Sequence, residues 1–148
     1  MFRGSSAHTI DTKGRIIIPA RFRDVIRSDG RDGVMVSRLD GGLFAYTFDE
    51  WRKIETRILD KAKKSEYMRR FRRVFVGGAH ECLCDKQGRI LLPQPLRQYA
   101  GFEKEIVLVG VLDHFEIWSR ENWDRENLDM ETDMQKEDVR NEIAELGL

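Results

Sequence analysis

One phrase occurs twice in this chain, and it predicts the fold. "DTKGRIIIPARFR" runs from Asp11 to Arg23, and "DKQGRILLPQPLR" runs from Asp85 to Arg97, with an offset of 74 residues. Each copy places an acid, a glycine and an arginine directly before a run of branched aliphatic residues. Similarity over so long and ordered a stretch indicates an internal duplication, so the chain should contain two copies of one structural unit.

Both copies predict the same order of elements: strand, tight turn, strand, helix, hairpin, helix. Gly14 and Gly88 supply the positive φ that a tight hairpin turn between the two flanking strands requires. The aliphatic runs that follow them predict short strands. Pro19 and Pro93 then predict helix starts, because the first turn of a helix needs no amide donor from proline.

A second stretch of similarity predicts the hairpin and the helix that follows it. "VMVSRLDGGLFAYTFDEW", which starts at Val34, matches "VLVGVLDHFEIWSRENW", which starts at Val107, with one residue missing at the turn. Thr47 and Glu50 have the spacing of a capping box. They predict a helix that continues through Ala62, and Ser119 is predicted to cap the corresponding helix of the second copy.

The strands predict how the two copies assemble. One copy offers about four strands of three to five residues, too few to close a sheet around its own apolar side chains. We therefore predict an α+β fold, a pseudo-twofold β-barrel of interleaved strands from both copies, flanked by helices. The predicted parts are repeat 1 (1–52), connecting helices (53–75), repeat 2 (76–124) and an acidic C-terminal tail (125–148). The predicted core residues are Ile16, Ile18, Val36, Ile90, Leu92 and Leu108.

Composition limits the class of protein. The 148 residues are 41% hydrophobic and 35% charged, as in a folded protein with a hydrophilic surface. No apolar run approaches the roughly 18 residues that span a bilayer, and the N-terminus lacks a signal-peptide core. Cys82 and Cys84 are too close together to staple a fold. We expect a cytoplasmic protein without a membrane partner.

A net charge of zero conceals an asymmetry along the chain. Residues 1–80 hold 18 Lys and Arg against 10 Asp and Glu, whereas residues 119–148 hold 4 against 10. This distribution favours a polyanion-binding surface and a solvated tail, with disorder beyond about Asp133. Ordinary solvated helix faces would give the same counts. The basic stretch "EYMRRFRRVF" (Glu66 to Phe75) fits a helix that contacts DNA, a helix that contacts another subunit, or a solvated face.

The repeated arginines are the candidate binding residues. The spacing of Asp11 and Arg15, and of Asp85 and Arg89, puts each arginine at the exit of a turn, where it is exposed. A two-stranded ribbon fits the major groove of DNA, and an arginine there can bind guanine through two hydrogen bonds. Each aspartate would accept backbone amides of the turn or restrain its arginine. A purely structural Asp–Arg pair explains the pattern equally well.

Lysines accompany both arginines. Lys13 in the first turn and Lys86 in the second are candidates for phosphate contacts, which position a protein on DNA without reading its sequence.

The pattern D-x-K-G-R-I-x-x-P-x-x-x-R resembles the swapped-hairpin barrel domain of the AbrB and SpoVT transition-state regulators and of many antitoxins. Two such copies after an opening "MFRG", with a helix pair between them, resemble the MraZ family, regulators encoded at the head of the bacterial division and cell wall gene cluster. The similarity extends to about Trp123. It implies two tandem AbrB/SpoVT-like repeats in a nucleoid-associated transcription factor that needs no cofactor.

The resemblance also implies how the protein works. It implies a ring-shaped homo-oligomer that binds short direct repeats in double-stranded DNA upstream of its own operon and represses that operon. The DNA contacts would fall on Arg15 and Arg89, with Lys13 beside them. The second copy departs from the pattern at Gln87, so we expect the two halves to contact DNA unequally.

Other functions have less support in the sequence. His80, Cys82 and Cys84 would share one face of a strand, but no fourth ligand is evident, so we expect buried small residues and no metal. No catalytic triad or phosphate-binding loop is present, and Asp11 and Asp85 already serve a turn and an arginine. We expect no enzyme. The alternative is a ring-forming interaction protein that binds a protein partner.

Overall fold

The computed structural model describes residues 1–61 and 65–148. Ala62, with the rest of the 62–64 stretch of the connecting region, lies outside the described residues. The elements follow one order twice within the described chain. The first copy has β1 (Ser5–Thr9), β2 (Arg15–Ile17), α1 (Ala20–Ser28), β3 (Gly33–Leu39), β4 (Gly42–Tyr46), α2 (Phe48–Lys61) and α3 (Glu66–Gly77). The second has β5 (His80–Leu83), β6 (Arg89–Leu91), α4 (Gln94–Ala100), β7 (Glu105–Gly110), β8 (Phe115–Ser119), α5 (Arg120–Asp133) and α6 (Glu137–Ala144).

The sheets show the interleaving of the two copies. The six-stranded sheet has the order β1-β7-β8-β4-β3-β5, and β2 pairs with β6 in a separate two-stranded ribbon. All these pairs are antiparallel. If each strand is replaced by its counterpart in the other copy, the order becomes β5-β3-β4-β8-β7-β1. This is the same six-strand order read from the other end of the sheet. The predicted pseudo-twofold α+β architecture is therefore confirmed.

The main core lies between the ribbon and the six-stranded sheet. Ile16 faces Ile90 at the centre of the ribbon, on the pseudo-twofold axis. Phe22 and Phe115 pack with their ring centroids 5.1 Å apart. All six predicted core residues are confirmed, because each is 2% exposed or less: Ile16, Ile18, Val36, Ile90, Leu92 and Leu108.

The strands on either side of each glycine turn do not form a hairpin with each other, contrary to our expectation. The first turn is tight, since the amide of Gly14 donates to the carbonyl of Asp11 at 3.0 Å. Beyond it, β1 pairs with β7 and β2 pairs with β6, both from the other copy. A three-residue strand has few backbone groups, and the other copy satisfies them while also covering the aliphatic side chains.

The repeat also has a different alignment at the hairpins from the one predicted. Val34 pairs with Cys82 as Ile106 pairs with His8, so the counterpart of Val34 is Ile106 and not Val107. The two hairpins have the same length, and the second copy is instead shorter between α4 and β7. A slip of one residue would turn each strand's buried face outward, and Val34 and Ile106 are both fully buried.

The helices flank the sheets as predicted. The amide of Glu50 donates to Thr47 Oγ1 at 3.3 Å, and the amide of Asn122 donates to Ser119 Oγ at 3.1 Å, so both predicted caps are present. A second cluster, Phe44, Tyr46, Trp51, Ile58 and Phe75, joins α2 and α3 to the opposite face of the six-stranded sheet.

The C-terminal tail is helical. The expected disorder beyond about Asp133 is wrong, because α6 runs from Glu137 to Ala144. The half-buried Val139 and Ile143 give α6 a small apolar side. Within the described part of the chain, no helix is long and apolar enough to cross a membrane.

Candidate nucleic-acid interface

The outer face of the β2–β6 ribbon gathers the repeated arginines. Successive side chains of a strand point to opposite faces, so the burial of Ile16 turns its neighbours outward. Arg15 lies opposite Leu91, and Ile17 lies opposite Arg89. The ribbon face therefore carries two symmetry-related pairs, each made of one arginine and one aliphatic side chain.

Each arginine is held by the aspartate of its own turn. The distance from Arg15 Nε to Asp11 Oδ2 is 2.7 Å, and that from Arg89 Nε to Asp85 Oδ2 is 2.9 Å. Among the residues that the structure describes, these arginines bond to side chains only through Nε, so their terminal nitrogens are available to another acceptor. The arginine side chains are 31% and 25% exposed. The ribbon thus presents two oriented, partly exposed cations.

The same aspartates fasten the turns. Asp11 Oδ1 accepts the amides of Lys13 at 3.0 Å and Arg15 at 2.8 Å. Asp85 repeats this arrangement in the second copy. The amide of Arg15 is the main cause that lowers the pKa of Asp11 to about 2, so this carboxylate stays ionised. Both suggested roles of the aspartate, holding the turn and restraining the arginine, occur together.

The turn glycines suit the backbone conformation of the turns, and each also lies against an arginine of the other copy. Gly14 has a φ of 91° and Gly88 a φ of 77°, in the left-handed region that side chains disfavour. In addition, a Cβ on Gly14 would lie 2.6 Å from Arg97 Nη1, and one on Gly88 would lie 2.6 Å from Arg23 Nη1. Each turn is therefore covered by the arginine that closes the phrase in the other copy.

Sequence reasoning assigned no role to Arg23 and Arg97. The sequence did contain an indication of a role for them, because Arg23 and Arg97 recur with the same offset of 74 residues as the turn glycines. Arg23 Nη2 also contacts Asp32 Oδ2 at 3.4 Å.

The predicted lysines lie at the two ends of the ribbon. Lys13 and Lys86 are both exposed in their turns. They are not equivalent, because Gln87 holds the position of Lys13 and Lys86 precedes it. Since β2 and β6 are antiparallel, the first turn flanks one end of the arginine face and the second turn flanks the other.

The basic helix α3 is not part of this face. Its apolar side packs into the second cluster, where Phe75 stacks on Trp51 with ring centroids 5.4 Å apart. Its four arginines are exposed on the other side: Arg69, Arg70, Arg72 and Arg73. The ribbon and α3 cover opposite faces of the six-stranded sheet, so they present two separate basic surfaces.

The cysteines lie in the main core. Cys82 is 3% exposed, and Cys84 packs beside it at the edge of the cluster. Burial raises the pKa of the Cys82 thiol to about 12 and that of Cys84 to about 11. Over residues 1–61 and 65–148, no three His, Cys, Asp or Glu side chains are grouped to hold a metal ion.

Known proteins are similar to this chain in amino-acid sequence, two of them over its whole length. Two relatives named "Transcriptional regulator MraZ" align with this chain over its full length and over their own full length. One is from Desulforapulum autotrophicum, at 69% identity, and one is from Desulfosudis oleivorans, at 56% identity. A relative of the same name from Caldanaerobacter subterraneus is 46% identical over 82% of each chain.

These relatives and the doubled fold define a transcriptional regulator and not an enzyme. A family model matches the chain twice, over residues 1–73 and 75–141, and so extends well beyond Trp123. The chain belongs to the MraZ protein family, which that model describes as antitoxin-like.

Proposed function

We propose that this protein is a sequence-specific DNA-binding repressor of its own division and cell wall operon, and that it binds short direct repeats upstream of that operon. The observation that supports this proposal is the pair of aspartate-held arginines, Arg15 and Arg89, on the outer face of the ribbon. Nucleoid association follows from DNA binding of this kind.

The restraint of both arginine side chains favours direct recognition of base edges. A guanidinium presents parallel N–H donors that match O6 and N7 of guanine, and a good bidentate pair discriminates by about 1–3 kcal/mol. The Nε bond to aspartate fixes the side chain before DNA arrives, so less rotamer entropy is lost on binding. A two-stranded ribbon has the width that the major groove admits.

The turns would hold the ribbon on the DNA backbone. Lys13 and Lys86 flank the arginine face at opposite ends, as phosphate contacts on either side of a groove require. Because Gln87 holds the position of Lys13 and Lys86 precedes it, the two halves of the ribbon should contact phosphates unequally.

Alanine variants test the arginines. We expect Arg15→Ala or Arg89→Ala to lose about 1–3 kcal/mol of binding to the DNA just upstream of this gene and to relax sequence preference. Lys13→Ala should weaken binding to all sequences about equally and flatten the salt slope. Arg52→Ala, an exposed arginine on α2, is the matched control and should bind normally.

Two results would contradict this assignment. One is an Arg15→Ala protein with normal melting and undiminished operator binding. The other is wild-type binding that does not weaken as salt rises, which would favour the alternative, a protein partner held by apolar contacts.

The proposal includes a ring-shaped homo-oligomer, and two exposed surfaces of opposite charge support it. The exposed arginines of α3 form a basic surface on the first copy. Residues 119–148 hold 10 acidic against 4 basic residues, and Leu128 and Met130 on α5 are 62% and 47% exposed. A contact between α3 of one subunit and α5–α6 of the next is heterologous, and such contacts form a ring when the rotation between subunits closes.

A ring would raise affinity for repeated DNA. Several weak ribbon contacts on one rigid body act together when the DNA repeats match their spacing. We expect Arg69→Glu with Arg73→Glu to dissociate the oligomer in sedimentation experiments. Arg3→Glu with Lys104→Glu, the same charge change away from α3, should leave it assembled. A wild-type monomer at micromolar concentration would overturn the ring.

A further inference from the structure

We propose that Ile17 and Leu91 contact the C5-methyl groups of thymines in the major groove, beside the guanines bound by Arg15 and Arg89. The proposal rests on the DNA-binding function proposed above. It adds a second base to what each half of the ribbon recognises.

The first observation is the exposure of two equivalent aliphatic side chains. Ile17 is 58% exposed and Leu91 is 55% exposed, whereas Ile16 and Ile90 beside them are buried. An isolated exposed aliphatic residue is common on protein surfaces. Here the same position is aliphatic and exposed in both copies, on the face that carries the arginines, so the apolar surface is a property of that face.

The second observation is the register of the ribbon. Arg15 lies directly opposite Leu91, and Ile17 lies directly opposite Arg89. Directly opposed residues have Cβ atoms about 5 Å apart, and alternate residues of one strand are about 7 Å apart. Successive bases of a DNA strand are spaced by about 3.4 Å. Each aliphatic side chain therefore reaches a base one or two steps from the base that its neighbouring arginine contacts.

The chemistry then selects thymine. Guanine, cytosine and adenine present hydrogen-bond donors and acceptors but no methyl group at their major-groove edges, whereas thymine also presents its C5-methyl group. An aliphatic side chain cannot satisfy a donor or an acceptor, so it would penalise those edges and gain by covering the methyl group. The arginine and the aliphatic residue of one pair thus favour a guanine and a thymine close together.

Removal of the thymine methyl groups tests this contact directly. The probe is the duplex immediately upstream of this gene, made once with thymine and once with uracil, which lacks only the methyl group. We expect wild-type protein to bind the uracil duplex more weakly, by about fourfold for each buried methyl group. Ile17→Ala with Leu91→Ala should weaken binding to the thymine duplex and abolish the difference between the two duplexes.

Two further variants separate the contact from indirect effects. Leu59→Ala removes an equally exposed aliphatic side chain from α2, 53% exposed, and should keep the full uracil effect. Ile17→Leu retains an aliphatic side chain, so this variant should retain most of the difference in binding between the thymine and uracil duplexes.

The outcomes distinguish this inference from the function beneath it. Equal wild-type binding to both duplexes, or a full uracil effect in the double alanine variant, would overturn the methyl contact and leave the arginine contacts standing. If the double alanine variant bound both duplexes normally but lost its oligomeric state, Ile17 and Leu91 would belong to a protein interface instead. Wild-type protein that failed to bind the thymine duplex would overturn both proposals.

Discussion

The two helix pairs of this protein occupy equivalent places in the repeat but pack differently. Helices α2 and α5 each have 14 residues. Each follows the second strand of a hairpin and is capped at its N-terminus by a Thr or Ser side chain. The pair α2–α3 buries Trp51, Ile58 and Phe75 against the sheet, whereas α5–α6 has no buried residue. One duplicated sequence has produced a structural pair and an exposed pair.

The difference follows from a few positions in the helices. Phe48, Trp51, Ile54 and Ile58 form an apolar stripe along α2, with the spacing of one helix face. The corresponding residues of α5 are Arg120, Trp123, Glu126 and Met130. Two charges interrupt the stripe, so α5 cannot cover the sheet without burying them. Duplication preserved the topology, while side-chain changes released the second pair for other contacts.

The largest expected effect compares the two equivalent tryptophans. Trp51→Ala should lower the free energy of unfolding by about 3–5 kcal/mol, because it removes the centre of the second cluster. Trp123→Ala should cost about 1 kcal/mol or less, since that side chain is only half-buried. Urea unfolding measures both changes, and equal losses would contradict the asymmetry of the helix pairs.

The shared core should show no such asymmetry. Ile16 and Ile90 face each other on the pseudo-twofold axis and are both buried. Ile16→Ala and Ile90→Ala should each cost roughly 2–5 kcal/mol, with similar values for the two. Thermal unfolding of both variants checks this. A large effect at one position alone would mean that the copies do not share one core, as would a stable folded monomer from residues 1–74 expressed alone.

Helix caps should give a smaller difference. Thr47→Ala removes the cap of α2 and should cost about 1 kcal/mol of global stability. Ser119→Ala removes the cap of α5, but an unpacked helix can fray without unfolding the barrel, so the global loss should be smaller. Hydrogen exchange should instead show faster amide exchange in the first turn of α5. Unchanged exchange there would contradict this account.

The smallest expected effect is a pH dependence found in the second hairpin alone. His114 lies between Phe44 and Tyr46 and bonds to Asp113 at 2.7 Å and Glu116 at 2.8 Å, whereas its counterpart in the first copy is Gly42. Burial alone lowers the pKa of His114, but its hydrogen bonds to the carboxylates of Glu116 and Asp113 outweigh that effect and raise the pKa overall.

The sign of the effect follows from that direction. A raised folded-state pKa stabilises the protein below the unfolded value of 6.5, and this stabilisation is lost as pH rises through the folded pKa. We expect urea midpoints to fall over that range. The fall should be smaller in His114→Gln, and an identical profile in the variant would contradict a role for His114.

The sequence by itself determined the local structure and the core. The turn glycines, the helix caps and the six core residues followed from patterns within a few neighbours, and burial alternates along a strand with a fixed period. The duplicated phrase also indicated that strands of the two copies interleave, because neither copy could bury its own aliphatic residues. The candidate residues Arg15 and Arg89 came from the same phrase, and their role in DNA binding stays a prediction, as does the four-part division of the chain.

Only the tertiary structure decided which groups meet across the two copies. It paired β1 with β7, placed Arg97 on Gly14 and Arg23 on Gly88, and set the alignment in which Val34 corresponds to Ile106. It also showed that α3 and the ribbon lie on opposite faces of the sheet. These contacts join residues that are far apart along the chain. They depend on how two whole units fit together, and no pattern among sequence neighbours carries that information.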